Sequence, residues 1–113
     1  MSLILLIFVD LNNMAKKYKV VYAADHGGFE LSVTAINWLS LKYPKSIVNG
    51  SYIGNRHDDA LVDCVETLGF RASPYLSALM VEELEGNSYI IIQEYDGAET
   101  VIEPKDINWI TIE

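Results

Sequence analysis

A chain of 113 residues has the length of one domain, and with half its residues apolar and about a fifth charged it has globular composition, which excludes a disordered chain. The net charge of −8 lies wholly in the C-terminal part: residues 1–71 balance seven basic against seven acidic side chains, whereas residues 72–113 set nine acids against the single Lys105. With only two arginines, Arg56 and Arg71, and no cationic stripe, the chain lacks what binding to duplex nucleic acid requires.

Residues 3–9, LILLIFV, are too few to span a bilayer and lack the charged start of a signal peptide, so no membrane partner is implied. The run fits an extra strand, a segment for self-association, or a stretch upstream of a natural start at Met14. Residues 14–113 then form a single domain.

Residues 17–23 predict a strand, with Val20, Val21 and Tyr22 supplying β-branched and aromatic side chains. The turn Asp25-His26-Gly27-Gly28 follows. Ser32 caps a helix to about Lys42, with Leu31, Ala35, Trp38, Leu39 and Tyr43 on one face, and Pro44 stops it. Residues 45–55 carry two turn signals, Asn49-Gly50 and Gly54-Asn55, and read as a loop. A second helix starts at a cap supplied by Asp58 or His57, buries Leu61, Val62, Val65 and Leu68, and ends at Gly69. Cys64 lies within it as a small buried residue. As the one cysteine it leaves no intramolecular disulfide and no multi-cysteine zinc site, and it fits a reducing cytoplasm.

Beyond Pro74 the periodicity turns extended. Strands are expected at 77–84, 88–95 and 99–103, with a hairpin at Asp96-Gly97, a break at Pro104 and a fourth strand over 107–112. The order β-α-α-β-β-β(-β) predicts an α+β domain, two helices packed on an antiparallel β-meander.

Gly27-Gly28 between strand and helix allows positive φ and close approach, and free N–H groups there would suit an anion such as a phosphate. The alternative is a tight turn that seats Phe29 in the core. No third glycine at dinucleotide spacing and no Walker lysine follow. Arg56-His57-Asp58 is the second polar cluster, with a guanidinium suited to bidentate recognition just ahead of a helix start. Its alternative is a solvated helix start with ordinary caps. His26, His57, Asp25 and Asp58 match a metal's ligand types, but the thirty-residue gap and the missing HxH or HxxxH spacing argue against a metal, and no cofactor is implied. Nor is there a GxSxG motif or a Cys-His pairing for nucleophilic catalysis. Tyr95 on the hairpin lip is suited to stacking on a flat ligand, although core packing accounts equally well for most of the seven tyrosines.

The blocks GGFELS, RHDDALVDCVETLG, VEELEG and QEYDGAE, in this order between Tyr18 and Ile102, resemble a group of small proteins encoded by tailed phages and their hosts. Glu30, Asp59 and Pro74 depart from the group's usual glycine, proline and glycine. The resemblance begins near Met14 and implies an accessory role in the cytoplasm of a host cell, such as a homo-oligomeric sponge that sequesters a cyclic-nucleotide or cyclic ADP-ribose-type signal. On that expectation the ligand site is Asp25, His26, Gly27, Gly28, Phe29, Arg56, His57, Asp58 and Tyr95. The alternative is an acidic module that docks Glu82, Glu83, Glu94, Glu99 and Glu103 on a basic host protein. An enzyme acting through His26 or His57 comes third.

Overall fold

Alternation along the first strand decides the layering. In β1 (Lys17–Ala23) Val21 and Ala23 point to one side and Tyr18, Val20 and Tyr22 to the other, as successive strand residues must. Both faces are apolar, so both need cover. The computed structural model describes residues 16–74 and 78–112. The apolar run at 3–9 and the start expected at Met14 lie outside the described residues.

The helices cover the first face. α1 (Val33–Lys42) buries Ala35 and Leu39, and α2 (Asp59–Leu68) buries Leu61, Val62, Cys64, Val65 and Leu68. With Val21, Ala23, Ala72 and Leu79 these make the main core. Ser32 caps α1 as expected, its Oγ accepting the Ala35 N–H at 3.0 Å. The same hydroxyl donates to the Arg71 carbonyl at 2.6 Å, and the Ser32 N–H donates to the Ala72 carbonyl at 2.9 Å. The start of α1 is thereby tied to the 3-10 turn Gly69–Ala72 behind α2. Gly69 ends α2 at φ 59°, where a side chain would be strained.

The loop expected over 45–55 contains a 3-10 turn, Pro44–Ser46, and a small hairpin of β2 (Ile47–Val48) with β3 (Ser51–Tyr52). Asn49 at φ 51° and Gly50 at φ 77° supply the two left-handed residues that a two-residue hairpin turn demands.

The α+β class holds, with antiparallel pairing throughout. The pairing differs from a meander. β4 (Leu79–Glu85) takes β1 as its partner, from Lys17↔Glu85 to Ala23↔Leu79, and the Ala24 N–H donates to the Ala78 carbonyl at 2.7 Å beyond the ladder. β5 (Ile90–Gln93) and β6 (Glu99–Ile102) form a separate hairpin. That hairpin covers the second face of β1, where Val20, Leu84 and Val101 are buried with Tyr18, Tyr22, Tyr89 and Ile91 around them. A strand with two apolar faces is better served by a helical layer and a hairpin layer than by a single sheet with one face in water.

After β6 a 3-10 turn, Pro104–Asp106, breaks the chain as expected of Pro104. The fourth strand expected over 107–112 does not form: these residues pair with no strand among the described residues, and Trp109, Ile110 and Ile112 are exposed.

Candidate functional site

The glycine turn meets another turn. Tyr95-Asp96-Gly97 closes the β5–β6 hairpin with the Gly97 N–H donating to the Glu94 carbonyl at 3.0 Å and the Glu94 N–H to the Ala98 carbonyl at 2.7 Å. Gly97 stands at φ 96°, and a Cβ there would come within 2.5 Å of the Gly28 nitrogen. The two backbones therefore touch, and Gly28 is buried. The Gly27 N–H, expected to be free for an anion, donates to the Asp96 carbonyl at 3.1 Å. His26 Nδ1 lies 2.7 Å from the Asp96 carboxylate, and Asp25 Oδ1 accepts the His26 N–H at 2.7 Å. Asp96 is held below the usual carboxylate range, first by the Ala98 N–H and further by His26.

Arg56 is committed to the same knot. Its guanidinium donates to both oxygens of Glu99, at 2.7 and 3.0 Å, and stacks over the Phe29 ring with Cζ 3.8 Å from the centroid. Its own carbonyl accepts the Val21 N–H at 2.8 Å, which fixes this loop along the free side of β1. The Glu99 side chain is only 4% exposed and also accepts the Ala23 N–H at 2.8 Å. Burial pushes its pKa up, but the Arg56 and Ala23 bonds outweigh burial and leave the carboxyl below its ordinary value. The fork expected to grip a phosphate already holds a carboxylate.

The remaining expected residues diverge. Asp58 occupies the N-cap position of α2 but makes no cap bond; its carboxylate turns back to the Tyr52 hydroxyl and the Asn55 N–H, both at 3.2 Å. Gly54 permits this, since a Cβ there would overlap both Asp58 and Tyr52. Burial, then Asp58, pushes the Tyr52 phenol far up. Tyr95 is fully exposed at the hairpin lip. His57 faces the other way from Arg56, its Nδ1 2.8 Å from the Tyr89 hydroxyl with the proton's owner set by the imidazole tautomer. So Asp25 to Phe29 and Arg56 share one knot with Asp96, Gly97 and Glu99, while His57 belongs to a separate hollow.

That hollow is the candidate site. Tyr18 and Tyr89 stand with ring centroids 6.0 Å apart, and the His57 ring meets Tyr89 edge-on at 5.5 Å. Two adjoining spaces of about 280 and 170 Å³ share Tyr18 and His57 as walls; Lys17, Lys19, Asp59 and Glu83 border the first, and Lys16, Asn87 and Tyr89 the second. Lys17 and Lys19 pair at the surface with Glu83 and Glu66 at 3.7 and 3.0 Å. Burial raises the Tyr89 and Tyr18 phenols, so both stay protonated, and the Tyr18 hydroxyl donates to the Ser88 carbonyl at 2.7 Å. Sequence reasoning missed Lys16, Tyr18 and Tyr89 here.

A larger groove of about 650 Å³ runs past Asp25, Phe70, Arg71 and Met80. Among the described residues, no three histidine, cysteine or acidic side chains gather as metal ligands, and no helix is long and apolar enough to cross a membrane. Cys64 is buried beside the Ala35 carbonyl, and burial pushes its thiol up to about 11, so it is no thiolate nucleophile. Of the acids expected to form a docking face, Glu99 is buried with Arg56, and Glu103 accepts the Glu85 N–H at 3.1 Å and pairs with Lys105.

Compared with protein-family models, with curated proteins and with solved structures, the chain finds no match.

Proposed function

We propose that the protein is a non-enzymatic binder of a small, flat, phosphate-bearing ligand of the nucleotide class. The ligand's ring would stack on the Tyr18–Tyr89 pair, and its charge would face Lys16. The observation that carries this reading is the tyrosine pair, edged by His57, with Lys16 on its rim. Aromatic walls accept any base by its π-face, and lysines meet phosphate as point charges. The two spaces together fall within the roughly 300–1,000 Å³ of ordinary ligand pockets. His57 would donate or accept beside the phenol, a binding role that needs no general-base chemistry. The resemblance of its sequence blocks to the phage group would fit a role as a counter-defence sponge in the host cytoplasm.

Isothermal titration against cyclic dinucleotides, cyclic trinucleotides and cyclic ADP-ribose isomers tests it. At least one should bind, and Tyr89→Leu, which keeps apolar bulk and removes the ring, should weaken that binding by about 1–3 kcal/mol. No heat from any of the three classes, or an affinity unmoved by Tyr89→Leu, would sink the reading.

A further inference from the structure

The C-terminal segment of residues 107–112, Ile-Asn-Trp-Ile-Thr-Ile, has the composition of a strand and pairs with no strand among the described residues. It is uncharged and free of proline and glycine, and Trp109, Ile110 and Ile112 are 77%, 88% and 94% exposed. Such a segment is the ordinary sequence signature of a pairing strand. We propose that it pairs with the open edge of β5 in a second copy of this chain, and that the exchange is reciprocal.

Each described strand is paired with a strand on one side only, and β5 is among those with an edge left over. Glu94 bonds toward β6, so by alternation Ile91 and Gln93 turn their backbone N–H and C=O away from it, toward the free side of β5. That edge is Ile90-Ile91-Ile92-Gln93, with Ile90 and Ile92 half-exposed and no charge or proline to guard it. The outer edge of β4 carries Glu82, Glu83 and Glu85, the kind of charge that keeps strand edges apart. The uncharged segment matches the uncharged edge of β5.

The segment does not lie beside its own β5, whose only paired neighbour is β6 among the described residues. A second copy can approach the open edge antiparallel. Because each copy carries one segment and one edge, a reciprocal exchange closes on a two-fold axis. Taking about 150–200 Å² for a large side chain, the exposed parts of Ile90, Ile92, Trp109, Ile110 and Ile112 come to roughly 600 Å² per copy. With the flanking backbone this approaches the ~800 Å² per partner of a stable interface.

Sedimentation of the full chain at about 10–100 μM, the range where a dimer of micromolar affinity shows, is expected to give a dimer. Ile110→Pro removes a ladder donor from the segment, and Ile92→Lys places a charge beside the receiving edge. Each should weaken the dimer at least tenfold and leave thermal unfolding of the monomer unchanged, since Ile110 and Ile92 are exposed. A wild-type chain that sediments as a monomer would overturn the proposal. So would an assembly that both substitutions leave intact.

Discussion

The glycine knot and the tyrosine cleft lie on either side of the Arg56-His57 peptide, and they differ in what their polar groups do. In the knot each group turns inward to another: Gly27 to Asp96, His26 to Asp96, Arg56 to Glu99, Glu99 to Ala23. In the cleft the Tyr18 hydroxyl donates to the Ser88 carbonyl and the Tyr89 hydroxyl pairs with His57, but these bonds lie beside an open space that the rings border and Lys16 rims. A site that folds on itself holds the molecule together; one whose rings border a hollow can hold something else. The residues with the most conspicuous chemistry in the sequence are on the holding side.

The largest effect should come from breaking the knot's ion pair. Glu99→Ala strands a guanidinium that is mostly out of water and removes the acceptor of the Ala23 N–H. Urea denaturation should show a loss of about 3 kcal/mol, the lower end for a buried pair because Arg56 keeps some exposure. The pH dependence follows with a definite sign. The Glu99 carboxyl has a lowered pKa in the fold, so the native state binds fewer protons than the unfolded chain around the ordinary glutamate value near ~4.3. Its contribution is complete above that value and is lost as pH falls through the lowered one. Glu99→Ala should therefore flatten the acid limb of the stability profile. A variant as stable as wild type at pH 7, with an unchanged acid limb, would take Glu99 out of the knot's energetics.

The two glycines that touch should respond unequally. Gly97→Ala puts a methyl group against the Gly28 backbone and forces φ 96° on an L-residue, at a cost of about 2 kcal/mol. Gly28→Ala meets nothing closer than 3.8 Å, so the strain of its φ 76° is the main cost, about 1 kcal/mol. Equal losses would mean that the turns do not rest on each other through Gly97.

How much of this was legible follows from the range of each interaction. Ser32, Gly69, Pro104 and the Asp96-Gly97 hairpin were readable because caps and turns are decided within a few residues. The buried stripe Leu61, Val62, Val65 and Leu68 was readable because it repeats at the helical period. The strand partners were not: β1 alternates between two apolar faces, which says that it is covered twice but not by what. The same limit hid the knot. Arg56 and Glu99 are 43 positions apart, so a guanidinium before a helix start reads as a phosphate grip until its carboxylate is found. Asp58 misled in a different way, because an N-cap position predicts a cap bond only if the preceding loop makes no better offer, and here Tyr52 and Asn55 do.

The smallest stability effect should come from the cleft. His57 is exposed, and its recorded side-chain partner is the Tyr89 hydroxyl, which solvent can replace. His57→Ala should therefore shift the urea midpoint by no more than about 0.5 kcal/mol, as for a surface substitution away from caps and buried pairs. Its neighbour Arg56, one residue earlier, anchors Phe29, Val21 and Glu99 and would cost several times as much. That contrast across a single peptide bond is the sharpest form of the comparison. If His57→Ala destabilised the fold as Glu99→Ala does, the cleft would be a second knot rather than a place for a ligand, and the imidazole would be there to brace Tyr89 against β1.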